Sequence, residues 1–547
     1  MTSRSRGFVK LRSAALATAT LVTATATLVT VTATLVTAAT ALWESPAAAV
    51  PIPGGQITTL FVPGAGVRLN AVITAPADIA VHKNPLVLQP SGWGMPAVGS
   101  IGSAYKLSSG ENFVSIEYTA RGMYLSEGEV DLFGANDAAD ASAVIDWAIA
   151  NLNVDPDRIA IAGGSYGAGM ALVAAARDPR IKAIVADSPP GDLADALAPN
   201  GTPKTGGPWA LAIAGAATNR FTPDLVQRGL DLALNNTGGA FAGVVSQHLL
   251  ADAIPKLNAN GTAVFLAHDW QDSLLPSGPV FTSFDELTGP KMLYMQPGDH
   301  STGGGAGQVA GLPNPIWDAG IRWLDHYVNG ADNGIDSEPV VNLAPAGTGP
   351  YRHFDSVAEA VADYRPFPLS VPAAGVMGAD PTENWSQPLL SGPTTAVAAV
   401  PYVSGTMAQL AVAPAVPLGT VDRNLAGVWR TAPFAAGTLV SGAPRLSLTA
   451  TPASSDLTLI GILYDEGPDG TGKEITYRPL TRHGLQPGAP TEMNWDLAAT
   501  YWELAPGHRL TLTVTSQDPI PFVSSTPMGS VVTFSAPSTA ELPITAS

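Results

Sequence analysis

The chain has 547 residues, 46% of them apolar and 13% charged, with a formal net charge of −18 and no cysteine. That length exceeds one ordinary domain, and the composition suits a large buried core and not a disordered chain. The acidity argues against nucleic acid and anionic membrane surfaces as partners, because binding phosphates takes clustered Lys and Arg. The missing cysteine excludes disulfides, thiolate metal sites, a lipid-modified Cys and a catalytic thiol.

Residues 1–49 read as a leader outside the fold. Arg4, Arg6, Lys10 and Arg12 form a basic head, and a run of Ala, Thr, Leu and Val follows, with "TATLVT" repeated at 18–23, 25–30 and 32–37. "SPAAAVP" then offers Ala47-Ala48-Ala49 as a small-residue cleavage site. Basic head, apolar middle and Ala-x-Ala end predict a cleaved secretory signal, hence a secreted or extracytoplasmic protein without stable membrane association. The apolar stretch is longer than a usual signal core, so an uncleaved anchor is the alternative, although its threonines weaken membrane retention. The repeat itself has the form of a low-complexity expansion.

From about 56 to 330 strand and helix patterns alternate. "ITTLFV" and "VRLNAVIT" read as an antiparallel pair at a sheet edge. "PLVLQ" (85–89), "FVSIEY" (113–118), "RIAIAG" (158–163), "IKAIVAD" (181–187), "TAVFLAH" (262–268) and "KMLYMQ" (291–296) are short apolar runs of the kind buried on both faces of a parallel sheet. Between them, 135–150 predicts a helix with Ala139, Ala143, Val144, Trp147 and Ala148 near one face, and with Asp137 and Asp140 in the dipole-favoured first turn. A second helix follows Ser165, and a third starts at Pro315 and stops at Gly330. This alternation predicts a mostly parallel α/β sheet over 50–190 and 259–337.

Residues 191–258 break the pattern. "WALAIAGAA", "TPDLVQRGLDLAL" and "FAGVVSQHLLADAI" predict helices inserted between two strands, hence a helical cap above the carboxyl edge of the sheet, where ligands bind. After about 338 the helical signal stops. "PRLSLTATP", "LTLIGILYDE", "ITYRPLT", "HRLTLTVTS" and "GSVVTFS", separated by turns such as "GPDGTG", predict an antiparallel β-sandwich over 338–547. The Pro/Ala-rich 341–400 stretch gives a weak signal and reads partly as connecting loop.

The chemistry centres on "IAGGSYGAGM", 161–170. Gly163-x-Ser165-x-Gly167 between a buried strand and a helix fits a nucleophile elbow, in which a serine sits at the tip of a tight turn and flanking glycines prevent clashes. The helix start would aim the Tyr166 backbone N–H at a developing oxyanion. The bland reading is a packing turn with an idle serine. A phosphate or dinucleotide loop lacks both its Gly spacing and its Lys-Ser/Thr. A serine nucleophile needs a base, and the base an orienting acid. In the chain order Ser, acid, His, the eligible bases are His248, His268, His300, His326, His353, His483 and His508. His300, in the glycine-rich "QPGDHSTGGG" after a strand, is favoured. His326 falls in a helix, and His268 leaves no later strand for the acid. Asp272 and Asp269 in "LAHDWQDSLLP" compete as the acid, with Asp285 as an outsider; Asp272 lies further into the loop. Asp299 reads as a turn residue beside the base.

Several segments together resemble the X-Pro dipeptidyl-peptidase and cocaine-esterase-like family of serine hydrolases: "YTARGMYLSEGE" with Arg121, Gly122, Ser126, Glu127 and Gly128; "GGSYGAG"; "HDWQDSLLP"; "GDHS"; "RWLDHYVNGADNGI"; and "LYDEGPDGTGKEITYRPL". The likeness spans roughly 55 to 545. It implies an α/β-hydrolase fold with a helical cap and a C-terminal all-β jelly-roll-like sandwich, and a triad of Ser165, Asp272 and His300. Where the family commonly completes the oxyanion hole with a tyrosine hydroxyl, this chain has "QPSGWGMP", so the indole or a backbone N–H around Trp93 would substitute; sequence does not place Tyr118 or Tyr124. Asp269 stands where a glycine is common.

The expected reaction is acyl transfer to water from a small acyl ester or an N-terminal dipeptide amide, with no cofactor and no metal. A peptidase needs a desolvated carboxylate for the substrate ammonium, for which Asp192, Asp195, Asp224 and Asp269 are candidates; an acyl esterase needs only an apolar cup. The alternative from another class is a catalytically inert exported binding protein on a hydrolase scaffold.

Overall fold

The computed structural model describes residues 49–204, 211, 212, 214–235, 248–346, 349–380, 383–396, 400, 403–410, 414–518 and 520–546. The predicted leader lies outside the described residues, as do parts of the cap. An 11-stranded mixed sheet runs in the order β1-β2-β3-β5-β4-β6-β7-β8-β9-β10-β11. Its strands are β1 (Val50–Ile52), β2 (Gly55–Pro63), β3 (Arg68–Pro76), β4 (Asn84–Pro90), β5 (Val114–Tyr118), β6 (Val154–Gly164), β7 (Ile181–Asp187), β8 (Ala263–Asp269), β9 (Lys291–Gln296), β10 (Val341–Leu343) and β11 (Arg352–Phe354). β2 and β3 form the expected antiparallel pair, β3 also pairs antiparallel with β5, and from β5 through β4, β6, β7 and β8 to β9 the strands are parallel to one another. Alternating side chains serve both faces: Leu86, Leu88, Ile159 and Ile161 enter one core, and Val87, Ala160 and Ala162 the other.

Seven helices carry the argument: α1 (Ile101–Glu111), α2 (Ala135–Asn151), α3 (Tyr166–Arg177), α4 (Pro223–Asn235), α5 (Leu249–Asn260), α6 (Thr302–Ala310) and α7 (Pro315–Leu324). α1 and α7 cover the Val87 face, where Trp317 and Trp323 are fully buried. α2, α3 and α5 cover the opposite face. Asn314 caps α7 by accepting from Ile316 N and Trp317 N, and Gly330, at φ 74°, ends the π-turn that prolongs it. α2 is rotated from the expected face. Its buried set is Asp137, Ala138, Asp140, Ala141, Val144, Ile145 and Ala148. The two aspartates therefore point inward, because Arg121 and Tyr166 wait there as partners.

β4 lies between β5 and β6, so the loops leaving β4 and β6 meet at the carboxyl edge where the order of connection reverses. Two boundaries read from sequence need correction. α5 packs on α3 and buries Leu249, Leu250, Ala253, Ile254 and Leu257, so it belongs to the helix layer of the sheet and not to the cap. The sheet also continues past 337, since β10 adds parallel to β9 and β11 antiparallel to β10. The first part of the third helix expected for the cap, 241–247, lies outside the described residues.

The C-terminal unit is the expected all-β sandwich. One sheet has the order β20 (Thr491–Asp496), β17 (Arg445–Pro452), β23 (Val531–Ala546), β16 (Thr438–Gly442), β21 (Thr500–Leu504), with β12 (Tyr364–Pro368) and β13 (Ser386–Leu390) also pairing β23; the other is β14 (Ala415–Pro417), β19 (Thr471–Arg482), β18 (Leu457–Glu466), β22 (Arg509–Thr515), β15 (Ala426–Arg430). The strands that matter below are β19 (Thr471–Arg482), paired antiparallel to β18 (Leu457–Glu466), and the long β23 (Val531–Ala546). The weak 341–400 stretch supplies β10 and β11 to the first sheet and β12 (Tyr364–Pro368) and β13 (Ser386–Leu390) to the sandwich. The fold is that of an α/β-hydrolase joined to a β-sandwich.

Candidate active site

The elbow is built from absent side chains. A Cβ on Gly163 would lie 2.5 Å from Gly167 C, one on Gly164 2.6 Å from Gln308 Oε1, and one on Gly167 2.2 Å from Pro90 O. Strand, helix and the loop after β4 can approach this closely only around glycine. Ser165 sits between them at φ 57° and ψ −122°, a backbone that L side chains adopt only under strain. Its N–H donates to Asp187 O at 2.9 Å, tying the turn to β7. Ser165 O accepts from Ala168 N and Gly169 N, which starts α3. The Tyr166 N–H is at the first helical position, where no intrahelical acceptor exists.

Two later loops converge on Ser165. His300 Nε2 lies 2.6 Å from Ser165 Oγ, and His300 Nδ1 lies 2.8 Å from Asp272 Oδ2. Asp272 Oδ1 accepts from Leu274 N at 2.9 Å and Leu275 N at 2.8 Å, so all its lone-pair directions that matter are fixed. Burial pushes the Asp272 carboxyl up, but the charge and hydrogen bond of His300, the nearby His268 and the Leu275 N–H outweigh it and hold it below the usual range. Burial likewise opposes the His300 cation, and Asp272, with smaller help from Asp299 and Asp187, raises its pKa nonetheless.

The other eligible histidines have partners elsewhere. His248 Nδ1 meets Asp192 Oδ2, His326 Nδ1 meets Ala331 O, His353 Nδ1 meets Asn342 Oδ1, His483 Nδ1 meets Asp456 Oδ1 and His508 Nδ1 meets Asp465 Oδ1. His268 is buried beside Asp272, 3.8 Å from Oδ2, and burial lowers its pKa. Asp269 turns away from His300. It accepts from Gly303 N at the start of α6, and burial raises its pKa well above normal. Asp285 accepts from Val357 N and Ala358 N, capping a helix of the linker.

The loop after β4 lies against the elbow, as the Gly167–Pro90 approach shows. Here one expectation is corrected. The Trp93 indole N–H donates to Leu211 O at 2.9 Å, so it faces the cap and is not directed at Ser165. Of the donors the sequence left open here, the indole or a backbone N–H of 92–94, the backbone N–H groups remain. The Trp93 ring packs on Tyr166 and Phe221, with centroids 5.7 Å apart in each pair. Tyr166 is further held by its hydroxyl, which donates to Asp137 Oδ2 at 2.6 Å. Tyr118 is fully buried in the core. Tyr124 stands at φ 44° in the loop that carries the Arg121 segment. That segment is scaffolding: Arg121 pairs with buried Asp140 at 2.7 Å, Ser126 Oγ donates to Thr119 O, and Glu127 pairs with Arg68.

Beside the acid loop, Leu274 and Leu275 pack with Ala196 and Leu211 into a small apolar cluster. The four carboxylates considered for an ammonium are engaged: Asp192 with His248 and Asp195 N, Asp195 with Arg478, Asp224 with Arg228, and Asp269 with α6. Behind the acid loop a cavity of about 60 Å³ separates it from β19 and is lined by Asp195, Lys204, Gln271, Asp272, Glu474 and Arg478. Sequence reasoning missed Asp187 and Lys204 as neighbours of the site, and it placed Asp299 beside the base only as a turn residue. Asp187 carried a weak signal, as the last residue of a strand at the carboxyl edge; Lys204 carried none. Among the described residues no cluster of three or more His, Asp or Glu side chains is arranged to hold a metal ion.

Comparison with known proteins matches this architecture domain by domain. Residues 65–302 match the family model of X-Pro dipeptidyl-peptidase (S15 family), and 333–537 match that of the X-Pro dipeptidyl-peptidase C-terminal non-catalytic domain. A putative Xaa-Pro dipeptidyl-peptidase of Streptomyces avermitilis is 25% identical over 507 residues, covering 77% of this chain and 70% of that protein. The solved CocE/NonD family hydrolase from Staphylococcus aureus shares the fold with a TM-score of 0.69 at 14% identity, covering 90% of this chain and 94% of its own. An alpha-amino acid ester hydrolase does so with a TM-score of 0.69 at 16% identity, covering 90% and 97%. With both of its halves matched in order, the chain belongs to the X-Pro dipeptidyl-peptidase and cocaine-esterase-like family and is a hydrolase of the serine peptidase and esterase kind.

Proposed function

We propose that the chain cleaves acyl bonds through a Ser165–His300–Asp272 triad and a covalent acyl-enzyme. The carrying observation is the unbroken relay of 2.6 Å from Ser165 Oγ to His300 Nε2 and 2.8 Å from His300 Nδ1 to Asp272 Oδ2. His300 takes the Ser165 proton as Oγ attacks the substrate carbonyl. The tetrahedral oxyanion is received by the Tyr166 N–H, aided by the helix dipole, and by a backbone N–H of 92–94 at Trp93. His300 then gives its proton to the leaving alkoxide or amine, and the acyl group stays on Oγ. Water, deprotonated by the same imidazole, attacks the acyl-enzyme and releases the acid. Asp272 keeps Nδ1 protonated and offsets the imidazolium charge throughout.

The substrate class this geometry supports best is an ester with a small apolar acyl group. The Leu274, Leu275, Ala196 and Leu211 cluster supplies apolar surface, and Asp192, Asp195, Asp224 and Asp269 are all engaged with other partners. A second reading, release of N-terminal X-Pro dipeptides, is favoured by the names of the matching family and of the Streptomyces relative. Comparing hydrolysis of p-nitrophenyl butyrate with that of an Ala-Pro anilide separates them. Turnover of the anilide alone would sink the esterase reading. An inert binding role is tested with a fluorophosphonate probe: absence of labelling at Ser165 would support it over catalysis. The basic head, apolar run and Ala-x-Ala end of 1–49 support export. Amino-terminal sequencing of the mature protein from the producing cell's medium checks it, and an intact leader would contradict it.

A further inference from the structure

Asp299 precedes His300 and read from sequence as a turn residue. Its Oδ1 accepts three hydrogen bonds, from Ser273 N at 2.8 Å, Ser273 Oγ at 2.7 Å and His300 N at 2.9 Å. Ser273 follows Asp272, so one buried oxygen joins the loop of the acid to the loop of the base. The backbone of Asp299 is in turn locked by Thr302, whose Oγ1 accepts from Asp299 N and donates to Asp299 O. Behind it, Lys204 Nζ donates to Ser273 O at 2.8 Å, holding the acid loop from the cap side. Gly405, in the short helix Ser404–Gln409 of the C-terminal unit, seats directly on Asp299: a Cβ there would lie 2.8 Å from Asp299 Cβ.

We propose that Asp299 is a positioning residue, which sets the spacing of the Asp272 and His300 loops and whose negative charge supports the His300 cation. The inference rests on the triad reading above and goes beyond it. Two features make the role more than structural. A single acceptor shared by both loops means that His300 and Asp272 move together or not at all, and misplacement of about 1 Å in such a pair costs roughly 100-fold in rate. The charge faces the site as well. Asp299 is fully buried, and its electrostatic neighbours are Asp272 on the acid loop, His300 on its own loop, Lys204 from the cap root, and Glu474 and Tyr477 on β19. The Ser404–Gln409 helix brings no titratable group. Asp299 thereby also couples the sandwich to the reacting loops.

The test uses the full chain and follows the rate of fluorophosphonate labelling of Ser165 against pH, which requires the Ser165–His300 pair and not the natural substrate. The neutral imidazole is the active form, so reactivity rises as pH passes the His300 pKa. Asp299→Asn keeps an oxygen acceptor but removes the charge. Its acidic limb is expected to move to lower pH by roughly half a unit, while most of the plateau rate is retained. Asp299→Ala removes the acceptor, and its plateau is expected to fall by roughly 100-fold. Thermal melting of each variant reports folding; should Asp299→Ala fail to fold, the Asn limb decides alone. An Asn limb that superimposes on wild type, or a folded Ala variant with the wild-type plateau, overturns the proposal. A wild-type chain that is not labelled at all overturns the triad reading first and this inference with it.

Discussion

His300 Nε2 and Ser165 Oγ lie 2.6 Å apart although 135 residues separate them in the chain. The meeting follows from the parallel sheet. β6, β7, β8 and β9 are consecutive neighbours pointing the same way, so the loops that leave them share one edge. Ser165 follows β6, Asp272 follows β8 and His300 follows β9.

The strain at Ser165 separates two ways of removing the nucleophile. Ser165→Ala and Ser165→Gly are both expected to lower hydrolysis at least ~1,000-fold. At φ 57° a Cβ is unfavourable, so the glycine variant should be the more stable by about 1 kcal/mol. Thermal melting of the pair measures this; a lower midpoint for the glycine variant would show an unstrained turn.

Asp272→Asn keeps shape and removes charge. With no carboxylate to hold Nδ1 protonated, kcat should fall by roughly 1,000- to 10,000-fold while the fold survives. Asp272 raises the His300 pKa, so the residual activity should show an acidic limb displaced to lower pH. A pH–rate profile of the variant checks both statements, and a limb that moves up would contradict the charge argument.

Asp137 and Asp187 are buried carboxyl groups, each pushed up by burial to about 7. Their unfolded-state values are lower, so the folded state holds these protons more tightly. The stabilisation they bring is complete below the unfolded pKa and is lost as pH rises through about 7. Stability should therefore decline from about pH 4 to pH 7 and level off above it, with a slope of up to about 1.4 kcal/mol per pH unit for each group. Asp137→Asn should flatten part of that decline. Melting temperatures of wild type and variant across this range provide the comparison.

The Arg121–Asp140 pair lies inside the molecule, with 8% and 0% of the two side chains exposed. Asp140 also accepts from Ala65 N, and Arg121 also donates to Ala65 O. Asp140→Ala leaves a buried guanidinium without its counter-charge, for a loss of about 3–5 kcal/mol. Urea denaturation measures it, and a loss under 1 kcal/mol would mean that water reaches Arg121.

Leu274 tests the substrate class. Leu274→Ala enlarges the apolar cluster beside the acid loop, so kcat/KM for longer acyl esters should rise relative to butyrate by roughly 10-fold. Unchanged ratios across a series of p-nitrophenyl esters would place the acyl group elsewhere.

Strands β4 to β9, the elbow and the three triad candidates were legible because each is written locally. A short apolar run needs only its own residues to become a buried strand, and Gly163 is demanded by Gly167 within one turn, whereas Gly164 and Gly167 are demanded by Gln308 and Pro90, which only the fold brings there. The choice of Asp272 over Asp269 was half legible. Both end the same strand region, and only the packing of α6 against Asp269 shows which carboxylate is already taken. The assignment of α5 to the cap failed for a related reason. Its amphipathic pattern states that it has a buried side, not that α3 is what covers it.

Pattern and composition alone therefore determined the succession of strands and helices and the serine turn, because these depend on neighbours in sequence; the choice of Asp272 and His300 to join Ser165 came with the family resemblance. Tertiary structure decided where polar groups spend their hydrogen bonds. It turned the Trp93 indole toward Leu211 O, paired Tyr166 with Asp137, and gave Asp299 three donors from two loops. Such bonds form between residues brought together by packing, and a side chain's own sequence context carries no information on which partner burial will leave it.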